Sequence, residues 1–410
     1  MAVEKRDRFL SIRISRFLMK TVGFWHAKSK AEEQLLNGIL SYTICMIGSS
    51  LWIEATEMYG TKGDFYAITY TACSAMPVAV VLMKICFFLK NRKEILKMLR
   101  YTEDHFWYAQ YDEYGNKLLE DINKKGIILI CTFIFFVQGA VVSYMLAPII
   151  GILILKLHQN VGKNVSDRKL PFNVWIGVPT NVSPNFEIIF FIEVLSLIHS
   201  GLLFCCFDVL LGLLNIYTAG QFKLLQHRLE TALERVVCTD IVKSLDQKRK
   251  QELYEEIKRC VIFHHELIWY SEKMESIFMY TTLCQLMVSG ILLCVAGFQV
   301  FLGRGTLIRR TIYMSHANAC VCQLFVVTFT SNDLIEESRA IGHAAYNANW
   351  QVLSHKHDKR IRNAIQMIMV RSIRACSISA GGFFPVSLET FMTVMGTAAS
   401  YFTLLRNFIQ

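Results

Sequence analysis

The sequence predicts an all-α, polytopic membrane protein with seven transmembrane helices, and three observations predict it. The 410-residue chain is 53% hydrophobic, with a mean hydropathy of +0.35. Charged residues make up only 19% of it, against about 25% in ordinary soluble domains. Seven apolar stretches are long enough to cross a hydrocarbon core, which takes roughly 20 residues of helix, and Lys and Arg gather in every second connection between them. Runs this continuous lack the alternation of barrel strands, so helices are left as the way to satisfy the backbone in lipid.

The stretches cover residues 35–53, 65–89, 126–155, 186–218, 277–302, 311–330 and 377–405. With the N-terminus inside, the inner segments are 1–34, 91–125, 219–276 and 331–376. They hold 32 of the 43 Lys and Arg, and the outer segments hold nine. Positive charge collects on the cytoplasmic side, so the N-terminus is expected inside and the C-terminus outside. The chain then divides into a basic amphipathic segment (1–34), spans one to four with the elements of a ligand pocket (35–218), a cytoplasmic helical segment (219–276), spans five and six (277–330), a second cytoplasmic helical segment (331–376) and the seventh span (377–410). This orientation is the reverse of a G-protein-coupled receptor. The sequence also lacks an Asp-Arg-Tyr at the inner end of span three and an Asn-Pro-x-x-Tyr in span seven.

The first thirty residues hold no apolar run of signal-peptide length. Phe9, Leu10, Ile12, Ile14, Phe17 and Leu18 are interspersed with Arg8, Arg13, Arg16 and Lys20, a pattern that fits an interfacial helix on an anionic leaflet or a solvated basic tail. Most of the thirteen cysteines lie inside apolar runs, as Cys45, Cys73, Cys205, Cys206, Cys320 and Cys322 do, and no CxxC pair exists. They read as small hydrophobes, and neither metal nor cofactor is expected. Two sequons, at Asn164 and Asn181, fall in the long outer loop.

The inner segments carry helical periodicity. Leu253, Ile257, Val261, Leu267 and Ile268 recur at spacings of about three and four, as do Ile361, Ile365, Ile368 and Ile373. One apolar stripe on each calls for a packing partner, either an intracellular anchor domain or neighbouring subunits.

The C-terminal third resembles the insect odorant receptor family. The resemblance is carried by Ala380-Gly-Gly-Phe-Phe-Pro-Val-Ser-Leu-Glu-Thr-Phe391 and Ser400-Tyr-Phe-Thr-Leu-Leu405. Upstream, Asn332-Asp-Leu-Ile-Glu-Glu-Ser338 and Ala344-Ala-Tyr-Asn-Ala-Asn-Trp350 match the family's connection between helices six and seven. Related gustatory receptors end in Thr-Tyr, five residues, then Gln-Phe. Ser400-Tyr401 and Asn407-Phe408 echo that ending, but the Ser-Leu-Glu-Thr-Phe block favours the odorant branch. The family's co-receptor has a large insertion between spans four and five. Segment 219–276 has none, so the chain is similar to an odorant-tuning subunit.

The resemblance implies a heterotetramer with the co-receptor and a central, weakly selective cation pore lined by span seven. It implies a plasma-membrane location in the dendrites of olfactory sensory neurons. Thr393, Gly396, Thr397, Ser400, Thr403 and Asn407 form a small or polar stripe on that span. Such stripes line pores or let helices pack closely, and the resemblance favours the pore. Leu404 matches the hydrophobic gate, which closes by dewetting, and Asn407 and Phe408 match the pore mouth. Arg406 is unexpected beside a cation pathway.

The ligand is expected to be a small, volatile, hydrophobic molecule held in an apolar cavity with few polar groups. The resemblance places that pocket in the outer half of spans two, three, four and six. The candidates are Tyr70, Cys73, Ser74, Pro77, Gln138, Val142, Met145, Pro148, Phe190, Phe191, Val194, Tyr313, His316 and Cys320. Each could equally pack against a neighbouring helix. Lys84, Glu193, His199, Asp208 and Gln299 are polar residues at intramembrane positions, where such groups are costly. A Glu193–His199 hydrogen bond and a Lys84–Asp208 salt link are expected possibilities. No phosphate loop, nucleophile elbow or HExxH motif occurs, so an enzyme is not expected. A transporter would show internal repeats, and none is found.

Overall fold

Once apolar runs have made helices unavoidable, their ends are set by breakers and caps. The computed structural model describes residues 9–61, 65–158, 170, 182–237, 247–301, 306–348 and 359–409. They form nine described α-helices. Those are α1 (Leu10–Thr21), α2 (Lys30–Gly60), α3 (Phe65–Thr102), α4 (Glu113–His158), α5 (Asn185–Val237), α6 (Gln247–Phe301), α7 (Leu307–Asn347), α8 (Lys359–Ser372) and α9 (Leu388–Ile409). A π-helical turn, Glu103–Trp107, follows α3. Ser29 caps α2 by accepting from the Glu32 amide at 3.2 Å, a Ser-x-x-Glu start of the kind that satisfies orphan helix donors.

Six of these helices, α2 to α7, are long and apolar enough to cross a membrane. They overrun the hydrocarbon thickness. At 1.5 Å per residue, the 53 residues of α5 span about 80 Å. The segments read from sequence as connections are thus largely extensions of the same helices. The seventh span starts later than its apolar run. Residues 379–380 and 384–385 form a two-residue antiparallel pair, β1 and β2, around Gly381 and Gly382 at φ 61° and 80°. Left-handed glycines and Pro385 stop a helix from running back to residue 377, and α9 begins only at Leu388. Its 22 residues, about 33 Å, still match a bilayer core.

The packing centre is the inner half of α5. Leu203, Cys206, Leu214, Tyr217, Phe222 and Leu229 are all buried among α4, α6 and α7. Gly220 makes the α4 approach possible, because a Cβ there would stand 2.1 Å from Ile122 Cδ1. Helix α1 docks beneath this bundle. Ile12, Leu18 and Met19 are buried against it, the Ser11 amide donates to Asn123 at 3.0 Å, and Arg16 pairs with Glu103 at 3.2 Å. The apolar side of α1, read from sequence as lying on a leaflet, therefore faces protein, leaving Leu10 and Phe17 outside.

In α6, Leu253, Ile257, Leu267 and Ile268 are buried. In α8, Ile361, Ile365 and Ile368 pack towards α7 and α6. Ile373, read as a fourth member of that stripe, lies past the helix end and is exposed. All twelve described cysteines are free.

Candidate functional site

The upper part of the bundle holds a partly open cavity of about 140 Å³ between α2, α3, α4, α5 and α7, with Ile192 at its exposed edge. Helix α2 contributes Met46, Ser49, Ser50, Ile53 and Glu54, and α3 contributes Ser74, Pro77, Val78 and Val81. From α4 come Val137, Ala140, Val141 and Tyr144. From α5 come Ile192, Glu193, Ser196, Leu197, Ser200, Gly201 and Phe204, and from α7 His316, Ala319 and Cys320. The wall is mainly aliphatic, with hydroxyls and two carboxyl groups inset.

Local chemistry fixes its shape. Gly201 lets α4 and α5 approach closely, since a Cβ there would lie 2.7 Å from Val141 Cγ2. Pro77 lacks an amide hydrogen, so the α3 ladder loses one bond at the wall. Hydroxyl pairs clamp the rim. Ser50 and Ser196 meet at 2.5 Å between α2 and α5, and Ser143 and Ser315 at 2.7 Å between α4 and α7. Thr43 and His199 Nε2 meet at 3.0 Å.

Of the sequence-predicted pocket residues, Ser74, Pro77, His316 and Cys320 line the cavity. The others do not. Tyr70 and Tyr313 meet edge-on, 5.9 Å between ring centroids, and Cys73 is buried away from the wall. Val142 and Phe191 point outwards and are exposed. Gln138, Met145, Pro148, Phe190 and Val194 lie off the wall, Gln138 at the α4–α5 contact and Phe190 stacked on Phe186. The error on α4 is one of rotation. Gln138, Val142 and Met145 each follow a lining residue by one position, about 100° around the helix.

The whole α2 wall was missed. The resemblance placed the pocket among spans two, three, four and six, which left out Met46, Ser49, Ser50 and Ile53 of the first span. Glu54 lay just beyond residue 53, at which that span was read as ending, whereas α2 runs on to Gly60. Glu193, singled out by its polarity, does line the cavity, while the His199 hydrogen bond goes to Thr43.

Below the cavity a buried polar chain crosses four helices. Lys84 Nζ donates to Asp208 Oδ1 at 2.7 Å, Gln323 donates to the other Asp208 oxygen, and Gln285 donates to Gln323 Oε1 at 2.6 Å. A charge at this depth is tolerable because it is paired and hydrogen-bonded. Gln299, also flagged from sequence, donates to Thr69 Oγ1 at 2.5 Å and ties α6 to α3.

Helix α9 packs one side on α6, where Val394 and Phe402 approach Gly290 and Gly297. On its other side Thr393, Gly396, Thr397, Ser400 and Leu404 are exposed on this chain. The hydroxyls of Thr393, Thr397 and Ser400 donate back to the carbonyls of Glu389, Thr393 and Gly396 at 2.7–2.9 Å. Asn407 and Phe408 lie in α9, but their side chains are outside the described residues, as are Asn164 and Asn181. Among the described residues no group of His, Cys, Asp and Glu has metal-binding geometry.

Comparison with known proteins adds to this geometry. The family model described as 7tm Odorant receptor matches residues 66–399. Odorant receptor 13a of Drosophila melanogaster is 31% identical over 211 residues, covering 49% of this chain and 48% of that one. This chain thus aligns with about half the length of that relative. Odorant receptor Or2 of Anopheles gambiae is 21% identical over 354 residues, covering 85% and 87%. Among solved structures, the olfactory receptor OR5 of Machilis hrabei in complex with eugenol superposes with a TM-score of 0.80. It is 15% identical and is covered at 97% of both chains, which establishes a shared fold.

Proposed function

Since this chain belongs to the seven-transmembrane odorant receptor family of insects, a family of receptors rather than enzymes, we propose that it is the odorant-binding subunit of a ligand-gated cation channel. In this reading it assembles with the odorant co-receptor as a heterotetramer in the plasma membrane of olfactory dendrites. The observation that carries the reading is the partly open, largely aliphatic cavity among α2, α3, α4, α5 and α7, the environment a small volatile molecule needs. The Machilis olfactory receptor was solved in complex with eugenol, which supports a ligand that is likewise a small molecule.

The exposed stripe on α9 supports a pore role. Its hydroxyl hydrogens are turned back onto the helix, which leaves oxygen lone pairs outward, the polarity that suits a cation. Four copies would set Leu404 as an apolar ring that shuts by dewetting, with Asn407 and Phe408 beyond it at the mouth. Only nine residues separate α5 from α6, which supports the tuning role over that of the longer co-receptor. A ligand opens such a channel to the extent that it binds the open state better than the closed one.

Whole-cell recording tests this reading. Cells expressing the chain with an insect odorant co-receptor should pass odorant-evoked, weakly selective cation current without added G protein. Current only in the co-expressing cells assigns the tuning role, and a response that requires G-protein signalling overturns the channel reading.

A further inference from the structure

The cavity is unusual in what it offers a ligand. Glu54 and Glu193 enter it from α2 and α5, each only 5–6% exposed. Oε2 of Glu54 accepts no hydrogen bond from any described residue. Among the described residues no Lys or Arg lines the space. The nearby cations are engaged, Lys84 with Asp208 and Arg309 over the Tyr70 ring at 4.8 Å. The serine hydrogens turn mainly to other acceptors, although Ser74 also stands within hydrogen-bonding reach of the Glu54 carboxyl. Ser49, Ser74 and Ser200 donate to the backbone carbonyls of Met46, Thr71 and Leu197 at 2.9–3.0 Å, and Ser50 and Ser196 bond each other. Beside the Tyr144 hydroxyl and the unpartnered Nε2 of His316, the polar groups of the wall are chiefly acceptors, and Glu54 brings a carboxyl with an orphaned oxygen.

Resting on the reading of this cavity as the ligand site, we propose that it selects a small primary amine, with Glu54 as the principal partner of the ammonium group and Glu193 as the second. An ammonium brings three donors and a positive charge to the orphaned Glu54 oxygen, and charge-assisted bonds of this kind are about twice as strong as neutral ones. A neutral amine entering against a protonated Glu54 takes that proton, and an ammonium entering against the carboxylate brings its own. Both routes end in the same ammonium–carboxylate pair. The aliphatic remainder of the wall takes a short apolar body. At about 140 Å³ the space compares with an engineered cavity of about 150 Å³ that binds benzene.

The test is direct binding to the full-length chain in lipid nanodiscs, comparing pentylamine, 1-pentanol and 2-hexanone. Pentylamine should bind about tenfold more tightly than the ketone, which has no donor, with the alcohol between them. Glu54→Gln should abolish most of that preference, and an unchanged elution profile and helical circular dichroism of the variant report an intact fold. Glu193→Gln should reduce it in part. Equal binding of amine and ketone, an amine preference that survives both substitutions, or no binding of any of the three overturns the proposal. Recording evoked currents with the same series separates the two readings. Ketone currents as strong as amine currents refute the amine selectivity and leave the channel reading standing, whereas amine binding without any evoked current does the reverse.

Discussion

Lys84 Nζ on α3 stands 2.7 Å from Asp208 Oδ1 on α5, each only 3–4% exposed, in the interior of the bundle. Gln323 of α7 holds the second carboxylate oxygen and Gln285 of α6 holds Gln323, so one ion pair organises four helices. Lys84→Met strands a buried carboxylate and should cost about 3–5 kcal/mol. The double variant Lys84→Met with Asp208→Leu removes both charges and should recover most of that loss. Melting of the detergent-solubilised protein measures both, and a double variant no more stable than the single one refutes the pairing.

The register of the cavity wall makes a sharper prediction. Val141 lines the cavity while Val142, the next residue, points outwards. Val141→Phe should fill the space and weaken ligand potency by about tenfold or more, whereas Val142→Phe should leave it within about twofold. Odorant dose–response curves at matched surface expression decide it.

At the hinge before α9 two adjacent glycines differ. The Gly381 amide donates to Met279 O at 3.0 Å, and a Cβ there would stand 2.6 Å from Leu283 Cδ2. Gly382 has open space around it. Both have positive φ, so alanine at either incurs left-handed strain of about 1–2 kcal/mol. Gly381→Ala adds a clash and should lower the melting temperature clearly more than Gly382→Ala.

The pore reading predicts a leak. Leu404 is exposed on the face of α9 that carries Thr393, Thr397 and Ser400. Leu404→Ser should wet the constriction and raise odorant-independent current several-fold at unchanged surface expression.

His26, between α1 and α2, predicts a dependence on pH. Burial first, then Arg100, Arg16 and Lys20, hold its pKa down from 6.5 to about 4. Glu103 lies 3.3 Å from its Nε2, yet that carboxylate already pairs with Arg16, and so it does little to favour the imidazolium. The folded state then binds this proton more weakly than the unfolded state. Stability is complete above about pH 6.5 and falls as the pH drops towards 4, by up to about 1.4 kcal/mol per pH unit. Melting between pH 7.5 and 5 should be flatter in His26→Gln than in the parent chain.

The sequence by itself determined that the chain crosses a membrane several times as helices, because only long apolar runs with basic ends can do so. It also located the family motifs around residues 332–350 and 380–405, and it marked Lys84, Asp208 and Glu193 as polar groups needing an explanation. Rotation of each helix about its axis was decided only by the tertiary structure. In a soluble helix polar and apolar faces differ, so the facing side is written in the periodicity. In lipid both the outward and the inward faces are apolar, so Val141 and Val142 look alike along the chain although one lines the cavity and the other does not. The same holds for α2, whose continuation to Gly60 brings Glu54 to the wall. It holds too for the start of α9, where two left-handed glycines interrupt an apolar run that hydropathy alone reads as one helix.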